Sequence, residues 1–197
     1  MKVKQRLVLA GFIAVCIMLN LGGKFLAGYF NLPTWFDAFG TVLTAYGLGP
    51  VCGAIVGMAS NIVCGFAFDT SCIYGLTSIA IGIIVGIFAK KNRFDTVFGT
   101  MTISVLVTLA AMVVSVPLNF IFYEGMTNNL WGDGVIGFLK EQGVPFGLCG
   151  IIGQFYVEFL DKVITLLVGI SNVICVTPYR TDTNRFFSHF IEDINLS

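Results

Sequence analysis

The stretch from Ala38 to Phe68 contains no charged residue. A run this long and this apolar does not fit a helix of a soluble core, and it is typical of chain that lies in a lipid bilayer. The whole chain has the same character, because 56% of its residues are hydrophobic and only 11% are charged, against about 25% charged residues in soluble domains. We therefore expect an all-α integral membrane protein, whose function is carried out in, on or across a membrane.

Turn residues and charged clusters divide the chain into six predicted transmembrane helices. One helix from Ala38 to Phe68 would be about 46 Å long at 1.5 Å per residue, and a Gly-Leu-Gly-Pro segment at 47–50 interrupts it, so we predict two helices there. The polar stretch from Glu124 to Gly143 is expected to be a loop with a short amphipathic turn on the membrane surface. The predicted helices lie at 6–23, 36–47, 50–66, 71–89, 95–122 and 146–175.

The basic residues predict the orientation of these helices. With six crossings, Lys24 and Lys140 fall on one side of the membrane, and Lys162 lies within the last helix. The other basic residues all fall on the opposite side: Lys2, Lys4, Arg6, Lys90, Lys91, Arg93, Arg180 and Arg185. By the positive-inside rule both termini are then cytoplasmic, with a single six-helix domain over 1–178 and a polar cytoplasmic tail over 179–197. If the second and third helices were one crossing, the tail and the loop that contains Lys90 would fall on opposite sides of the membrane. The distribution of basic residues therefore favours six crossings.

The last predicted helix carries the most informative polar face of the chain. Its polar residues recur at helical spacing and share one side: Gln154, Glu158, Asp161, Lys162 and Thr165. Charged side chains are costly within a membrane, so they face a protein interior or a water-filled cavity. Two interpretations fit and can hold together: a Glu158–Lys162 or Asp161–Lys162 ion pair that locks the bundle, or the wall of a polar binding cavity.

Three further groups of residues invite a functional interpretation. Asn61 lies within a row of small residues on the third helix, and a buried amide needs hydrogen-bond partners. Ala10 and Ala14, one turn apart, allow close approach of another helix, either from this chain or from a partner subunit. Amides, a carboxylate and an aromatic ring collect at the end of the fifth helix, a mixture that suits a small polar ring compound: Ser115, Asn119, Glu124, Asn128, Asn129 and Trp131.

Motifs for catalysis, ATP binding and metal binding are missing from the sequence. There is no G-x-x-x-x-G-K-[ST] loop, no H-E-x-x-H motif and no G-x-S-x-G motif. The one histidine, His189, lies in the polar tail, and none of the six cysteines forms a C-x-x-C pair. The formal net charge of zero gives no bulk attraction to nucleic acid. We expect no enzyme activity, no catalytic residue, no metal site and no cofactor.

Several segments together carry a family resemblance. They are Ala10-x-x-x-Ala14, Leu32-Pro33-x-x-Phe36-Asp37-x-Phe39-Gly40-Thr41, Gly49-Pro50-x-x-Gly53-x-x-x-Gly57-x-x-x-Asn61 and Glu158-Phe159-Leu160-Asp161-Lys162. With six predicted helices and cytoplasmic termini, the chain resembles the substrate-binding S component of energy-coupling factor (ECF) vitamin transporters. The resemblance covers most of the chain.

The resemblance implies a subunit that captures a water-soluble vitamin or related small ring compound at a bacterial plasma membrane. It implies partners as well: a transmembrane coupling protein, which Ala10 and Ala14 would face, and two ATPase subunits that use the ATP. The substrate would lie near the outer face, between the fourth, fifth and sixth helices. The expected substrate-binding residues are Asn119, Glu124, Trp131, Gln154, Glu158 and Lys162, with Asp37, Asn61 and Tyr74 as further candidates.

Three other functions stay open on the sequence. The first is a stand-alone secondary transporter or channel, in which the face with Glu158, Asp161 and Lys162 relays protons or ions. The second is an intramembrane enzyme, for which the one plausible cluster is Cys64, Asp69 and Cys72. The third is a sensor or assembly subunit without a substrate.

Overall fold

The computed structural model describes residues 3–68 and 71–176, and these are all-helical apart from their connections. A short 3₁₀ turn at Ser71–Tyr74 leads into the fourth helix. The α-helices of the described part are α1 (Val3–Tyr29), α2 (Phe39–Leu48), α3 (Pro50–Phe68), α4 (Gly75–Lys90), α5 (Val97–Phe122), α6 (Leu130–Glu141) and α7 (Phe146–Val176). The predicted polar tail at 179–197 lies outside the described residues.

Three helical segments in the described part of the chain are long and apolar enough to cross a bilayer. They are Arg6–Tyr29, Cys72–Lys90 and Val97–Phe122, and shorter apolar helices lie at Phe39–Leu48 and Pro50–Phe66. A spanning helix needs about 20 mostly apolar residues, which these three segments provide. The helices thus indicate a membrane protein.

The predicted break between the second and third helices is present at Gly49. Gly49 has a φ of 94°, a value that glycine adopts without the steric cost that a Cβ atom would add. Helix α3 then begins at Pro50, a position where the missing backbone N–H of proline costs nothing. The segment from Phe39 to Phe68 therefore forms two separate helices, as predicted.

Two predicted boundaries are wrong. Helix α1 continues to Tyr29, so Lys24 lies inside a helix and not in the predicted loop. The segment around Trp131 was predicted to be a loop but begins α6, because the side chain of Asn129 accepts hydrogen bonds from the first free backbone N–H groups, including that of Trp131 at 3.1 Å. Such a cap, with Asp133 in the first turn, stabilises a helix start despite the nearby glycines.

The small residues of α3 and α4 face each other. A Cβ atom at Gly82 would meet the backbone of Gly53 and Ala54 at 2.5 Å. A Cβ atom at Gly57 would come within 2.9 Å of Ser78. The two helix backbones therefore approach as closely as small residues allow, as predicted for helices packed in lipid.

Asn20 joins α1 to α2 and α3. Its amide donates to the hydroxyls of Thr41 and Ser60, at 2.9 Å each, and its carbonyl oxygen accepts from the backbone N–H of Gly40 at 2.6 Å. Asn20 is 1% exposed, so water cannot replace these bonds. This joint holds the start of α2 against α1.

An apolar core lies between α2, α4, α5 and α7. Its buried members are Ala38, Val42, Ala45, Ile81, Val85, Ala89, Phe94, Ile103, Val107, Leu166 and Ile170. The chain also buries polar side chains, and several of them line the site described next: Thr77, Ser78, Asn119, Thr127, Gln154, Glu158 and Lys162.

Candidate functional site

A cavity of about 160 Å³ lies near the ends of α1 and α5, the start of α4 and the first half of α7. The connection between α1 and α2 and the connection between α5 and α6 also contribute to its wall. The lining residues are Lys24, Trp35, Asp37, Tyr74, Thr77, Ser78, Ile81, Asn119, Tyr123, Thr127, Asn128, Gln154, Glu158 and Lys162. Ile81 belongs also to the apolar core, so the core adjoins the cavity at this residue.

A chain of side-chain hydrogen bonds runs along one wall of the cavity. The hydroxyl of Tyr74 donates to the Asn119 carbonyl oxygen at 2.5 Å, and the Asn119 amide donates to the Gln154 carbonyl oxygen at 2.8 Å. The Gln154 amide then donates to Ser115 Oγ at 3.1 Å and to Glu158 Oε1 at 2.9 Å. This network joins the start of α4 to α5 and α7, and it holds each amide in one orientation.

Lys162 forms ion pairs with both carboxylates predicted to accompany it. Its ammonium group lies 3.1 Å from Glu158 Oε2 and also contacts Asp161 Oδ2. All three side chains are buried, with Asp161 0% exposed. All three residues belong to α7, so these ion pairs lie within one helix. Glu158 and Lys162 also line the cavity, so the ion-paired face forms part of its wall, and ligand binding by this wall stays a prediction.

Asp161 positions the connection between α1 and α2. Its second carboxylate oxygen accepts hydrogen bonds from the backbone N–H groups of Trp35 at 3.2 Å and Phe36 at 2.8 Å. Phe36 has a φ of 50°, a conformation that a bulky residue keeps only when its surroundings hold it there. The contact places Trp35 and Asp37 against the cavity.

The start of α6 and the connection before it are bonded to the connection between α1 and α2. The Asn129 amide donates to the carbonyl oxygen of Leu32 at 3.0 Å, and the Trp131 ring N–H donates to the carbonyl oxygen of Asn31 at 2.7 Å. The two connections thus form one joined cover at this end of the bundle.

Six of the predicted substrate-binding residues line the cavity, and three do not. Glu124 and Trp131 are exposed, and the Trp131 side chain instead joins α6 to the connection between α1 and α2. Asn61 donates to Gly57 O at 3.0 Å and to Ser78 Oγ at 2.7 Å, so its amide is used in packing α3 against α4. The six that line the cavity are Asp37, Tyr74, Asn119, Gln154, Glu158 and Lys162.

Sequence reasoning did not select the remaining lining residues. Trp35 was placed in a loop at the membrane interface. The one feature that could have linked it to the cavity is Asp161, because a buried carboxylate needs hydrogen-bond donors, and the Trp35 backbone N–H is one of them. Lys24 was assigned to the same loop. Asn128 had been grouped with the polar residues near the end of the fifth helix but not named as a substrate-binding residue. The others carried no local signal: Thr77, Ser78, Ile81, Tyr123 and Thr127.

A second cavity of about 410 Å³ adjoins the first. Lys24, Trp35 and Asn128 line both cavities and so form the boundary between them. The second cavity lies between the end of α1, the connection after it and the start of α6, and its wall is more apolar. A molecule longer than one ring would extend into it past Trp35.

The other predicted sites are distributed as follows. Ala10 and Ala14 are exposed on α1, so their side is open to a partner helix. Among the described residues no group of three or more His, Cys, Asp or Glu side chains has the arrangement of a metal site. Cys64 is buried and Cys72 is exposed, and Asp69, the third member of the hypothetical enzyme cluster, lies outside the described residues.

Comparison of the chain with protein-family models, with curated proteins and with solved structures finds no match. The functional assignment therefore depends on the geometry of the cavity and its surroundings.

Proposed function

We propose that this chain is the substrate-capture subunit of an ECF-type uptake system for a water-soluble vitamin or related ring compound. The observation that carries the proposal is the first cavity, in which a hydrogen-bonded network from α4, α5 and α7 faces aromatic side chains. Binding sites for small molecules combine apolar and aromatic walls with a few fixed polar groups in this way. The joined cover formed by the two connections supports a site that closes over its ligand.

The proposed topology places this site on the outer side of the membrane. We assign six crossings, with both termini in the cytoplasm of a bacterial cell, on the distribution of the basic residues. Helix α1 then ends at the outer face, and the cavity lies at that end of α1. In this orientation the apolar core separates the cavity from the cytoplasmic side, which favours capture over conduction through the bundle.

The proposed partners are a transmembrane coupling protein and two ATPase subunits. The chain has no ATP-binding loop of its own, so the energy for uptake would come from those subunits. Helix α1 offers a docking face, since Ala10 and Ala14 are exposed and a Cβ atom at the neighbouring Gly11 would meet no heavy atom within 4 Å. No catalysis and no cofactor are assigned to this chain.

The alternative proposal is a stand-alone transporter or channel that uses Glu158, Asp161 and Lys162. The geometry gives it less support, because Lys162 is held by two carboxylates and Asp161 is also bonded to the backbone at Trp35 and Phe36. Side chains held by so many partners suit a structural role better than the transfer of protons or ions. Ligand capture and partner binding, tested next, distinguish the two functions.

Replacing Gln154 with leucine is expected to reduce ligand capture at least about tenfold. The substitution removes the amide that links Asn119 to Glu158, and an unpaired polar group in a buried site costs about 1–3 kcal/mol. The measurement is native mass spectrometry of protein purified from rich medium, which reports the fraction carrying a bound small molecule. The matched control is Gln142→Leu, at an exposed position. Equal ligand occupancy in Gln154→Leu and the unaltered chain would contradict the proposed site.

Replacing Ala14 with tryptophan is expected to abolish co-purification of the ATPase subunits while ligand capture is retained. A tryptophan at position 14 would prevent the close approach of a partner helix. Position 14 is ten residues before Lys24, the residue of α1 that lines the cavity, so ligand capture is expected to be unaffected. The measurement is a pull-down from membranes of the native host, with ATPases identified by mass spectrometry. The control is Val113→Trp on α5, where Val113 is 75% exposed. If the unaltered chain brings down no ATPase, the assignment to an ECF-type system is wrong.

A further inference from the structure

The hydrogen-bond network leaves acceptors facing the cavity. Both N–H groups of the Gln154 amide are used, by Ser115 and Glu158, and the Tyr74 hydroxyl uses its proton on Asn119. The carbonyl oxygens of Asn119 and Gln154 each accept one bond from within the network and keep a second lone pair. One N–H of the Asn119 amide is also left over, because that amide donates only to Gln154. The network thus leaves more acceptors than donors, which suits a ligand that donates hydrogen bonds.

The charged side chains that line the cavity are two cations, Lys24 and Lys162, and two carboxylates, Asp37 and Glu158. A third carboxylate, that of Asp161, does not line the cavity but contacts Lys162, so carboxylates outnumber cations by one in this group. Lys162 is already shared between Glu158 and Asp161. A buried charge without a full counter-charge is costly in a region of low dielectric constant, so a cationic ligand gains more here than an anionic one.

The size and lining of the first cavity match one planar ring. Its volume is about 160 Å³, and an enclosed cavity of about 150 Å³ holds one benzene molecule. Trp35, Tyr74 and Tyr123 line it, and aromatic side chains pack well against a flat ring. Thr77 also lines it, and within the described residues its buried hydroxyl has no hydrogen-bond partner, which leaves a polar group for a ligand to satisfy.

We propose that the first cavity takes a single aromatic ring carrying a cationic or N–H-donating group, and that it rejects a carboxylate of the same shape. The assignment rests on the proposed function, because it names the chemical class captured at that site. Any larger substituent of the natural substrate extends past Trp35 into the second cavity.

Three compounds of nearly equal shape test the assignment: benzamidine, benzamide and benzoate, which are cationic, neutral and anionic at neutral pH. Binding to the purified full chain in detergent is measured by calorimetry and by the shift in thermal unfolding temperature. Benzamidine and benzamide are expected to bind, benzamidine at least about tenfold more tightly than benzoate. Glu158→Gln is expected to reduce the ratio of the benzamidine affinity to the benzoate affinity, because it removes one negative charge. Glu141→Gln, at an exposed position, is expected to leave this ratio unchanged.

Stronger binding of benzoate than of benzamidine would overturn the assignment, while the proposed capture function would stand. If none of the three compounds binds, the single-ring donor assignment is also overturned. The proposed function is then tested separately by the mass spectrum of the purified chain. A co-purified small molecule would support the proposed function, and a chain that carries no ligand and brings down no ATPase would contradict it. The comparison on the unaltered chain does not depend on whether Glu158→Gln folds.

Discussion

Replacing Lys162 with methionine is expected to lower the free energy of unfolding by about 3–5 kcal/mol, the range observed when one partner of a buried ion pair is removed. Lys162 is 2% exposed and contacts both Glu158 and Asp161. Methionine preserves most of the side-chain volume but leaves two buried carboxylates adjacent without a cation. The measurement is reversible unfolding in mixed detergent micelles containing increasing amounts of SDS.

A second substitution separates loss of charge balance from loss of packing. Adding Glu158→Gln to Lys162→Met removes one of the two carboxylates, while Asp161 keeps its hydrogen bonds from Trp35 and Phe36. The double variant is therefore expected to be more stable than Lys162→Met alone. Lys91→Met, at an exposed position, is the matched control and is expected to change stability little. If Lys162→Met is as stable as the unaltered chain, the ion pairs do not stabilise the fold.

Replacing Gly82 with alanine is expected to lower the free energy of unfolding by about 3 kcal/mol, the upper end of the usual cost of overpacking. The added Cβ atom would lie 2.5 Å from backbone atoms of Gly53 and Ala54, and backbone cannot move aside as a flexible side chain does. Helices α3 and α4 would have to separate. Ser78, one turn earlier on α4, lines the cavity, so ligand capture is expected to weaken as well.

Gly137→Ala is the matched control for this effect. Gly137 also lies within a helix, but a Cβ atom there would meet no heavy atom within 4 Å. Alanine is favoured over glycine in a helix interior by about 1 kcal/mol, so the control is expected to be as stable as the unaltered chain or slightly more stable. If Gly82→Ala behaves like Gly137→Ala, α3 and α4 are not packed at backbone contact.

The polar face of α7 could be predicted because its signal is local. Gln154, Glu158 and Lys162 follow one another at four-residue spacing within an apolar helix, and only an interior or a cavity accommodates such a face in a membrane. Asn119 was found in the same way, as an amide near the end of an apolar helix. These four residues are the centre of the hydrogen-bonded wall.

The sequence did not predict the position of a polar side chain where two environments satisfy its hydrogen bonds equally well. Glu124 and Trp131 lie near the correct end of the bundle, but their side chains are exposed. Asn61 has its partners on the neighbouring helix, and Asn20, which joins three helices, differs in no sequence feature from an amide at a helix surface. An amide or indole group is satisfied equally by a ligand, by another helix or by water, so spacing along the chain does not separate these cases.

The amino-acid sequence by itself determined that the chain forms apolar helices suited to a bilayer, that a break follows α2, and that one side of α7 is polar. These properties depend on composition and on spacing within single helices. Only the tertiary structure decided that Tyr74, Asn119 and Gln154 form one network, that Asp161 holds the connection bearing Trp35, and that Lys24 reaches the cavity. Those relations join residues far apart in the chain, and the packing of the helices against one another brings them together.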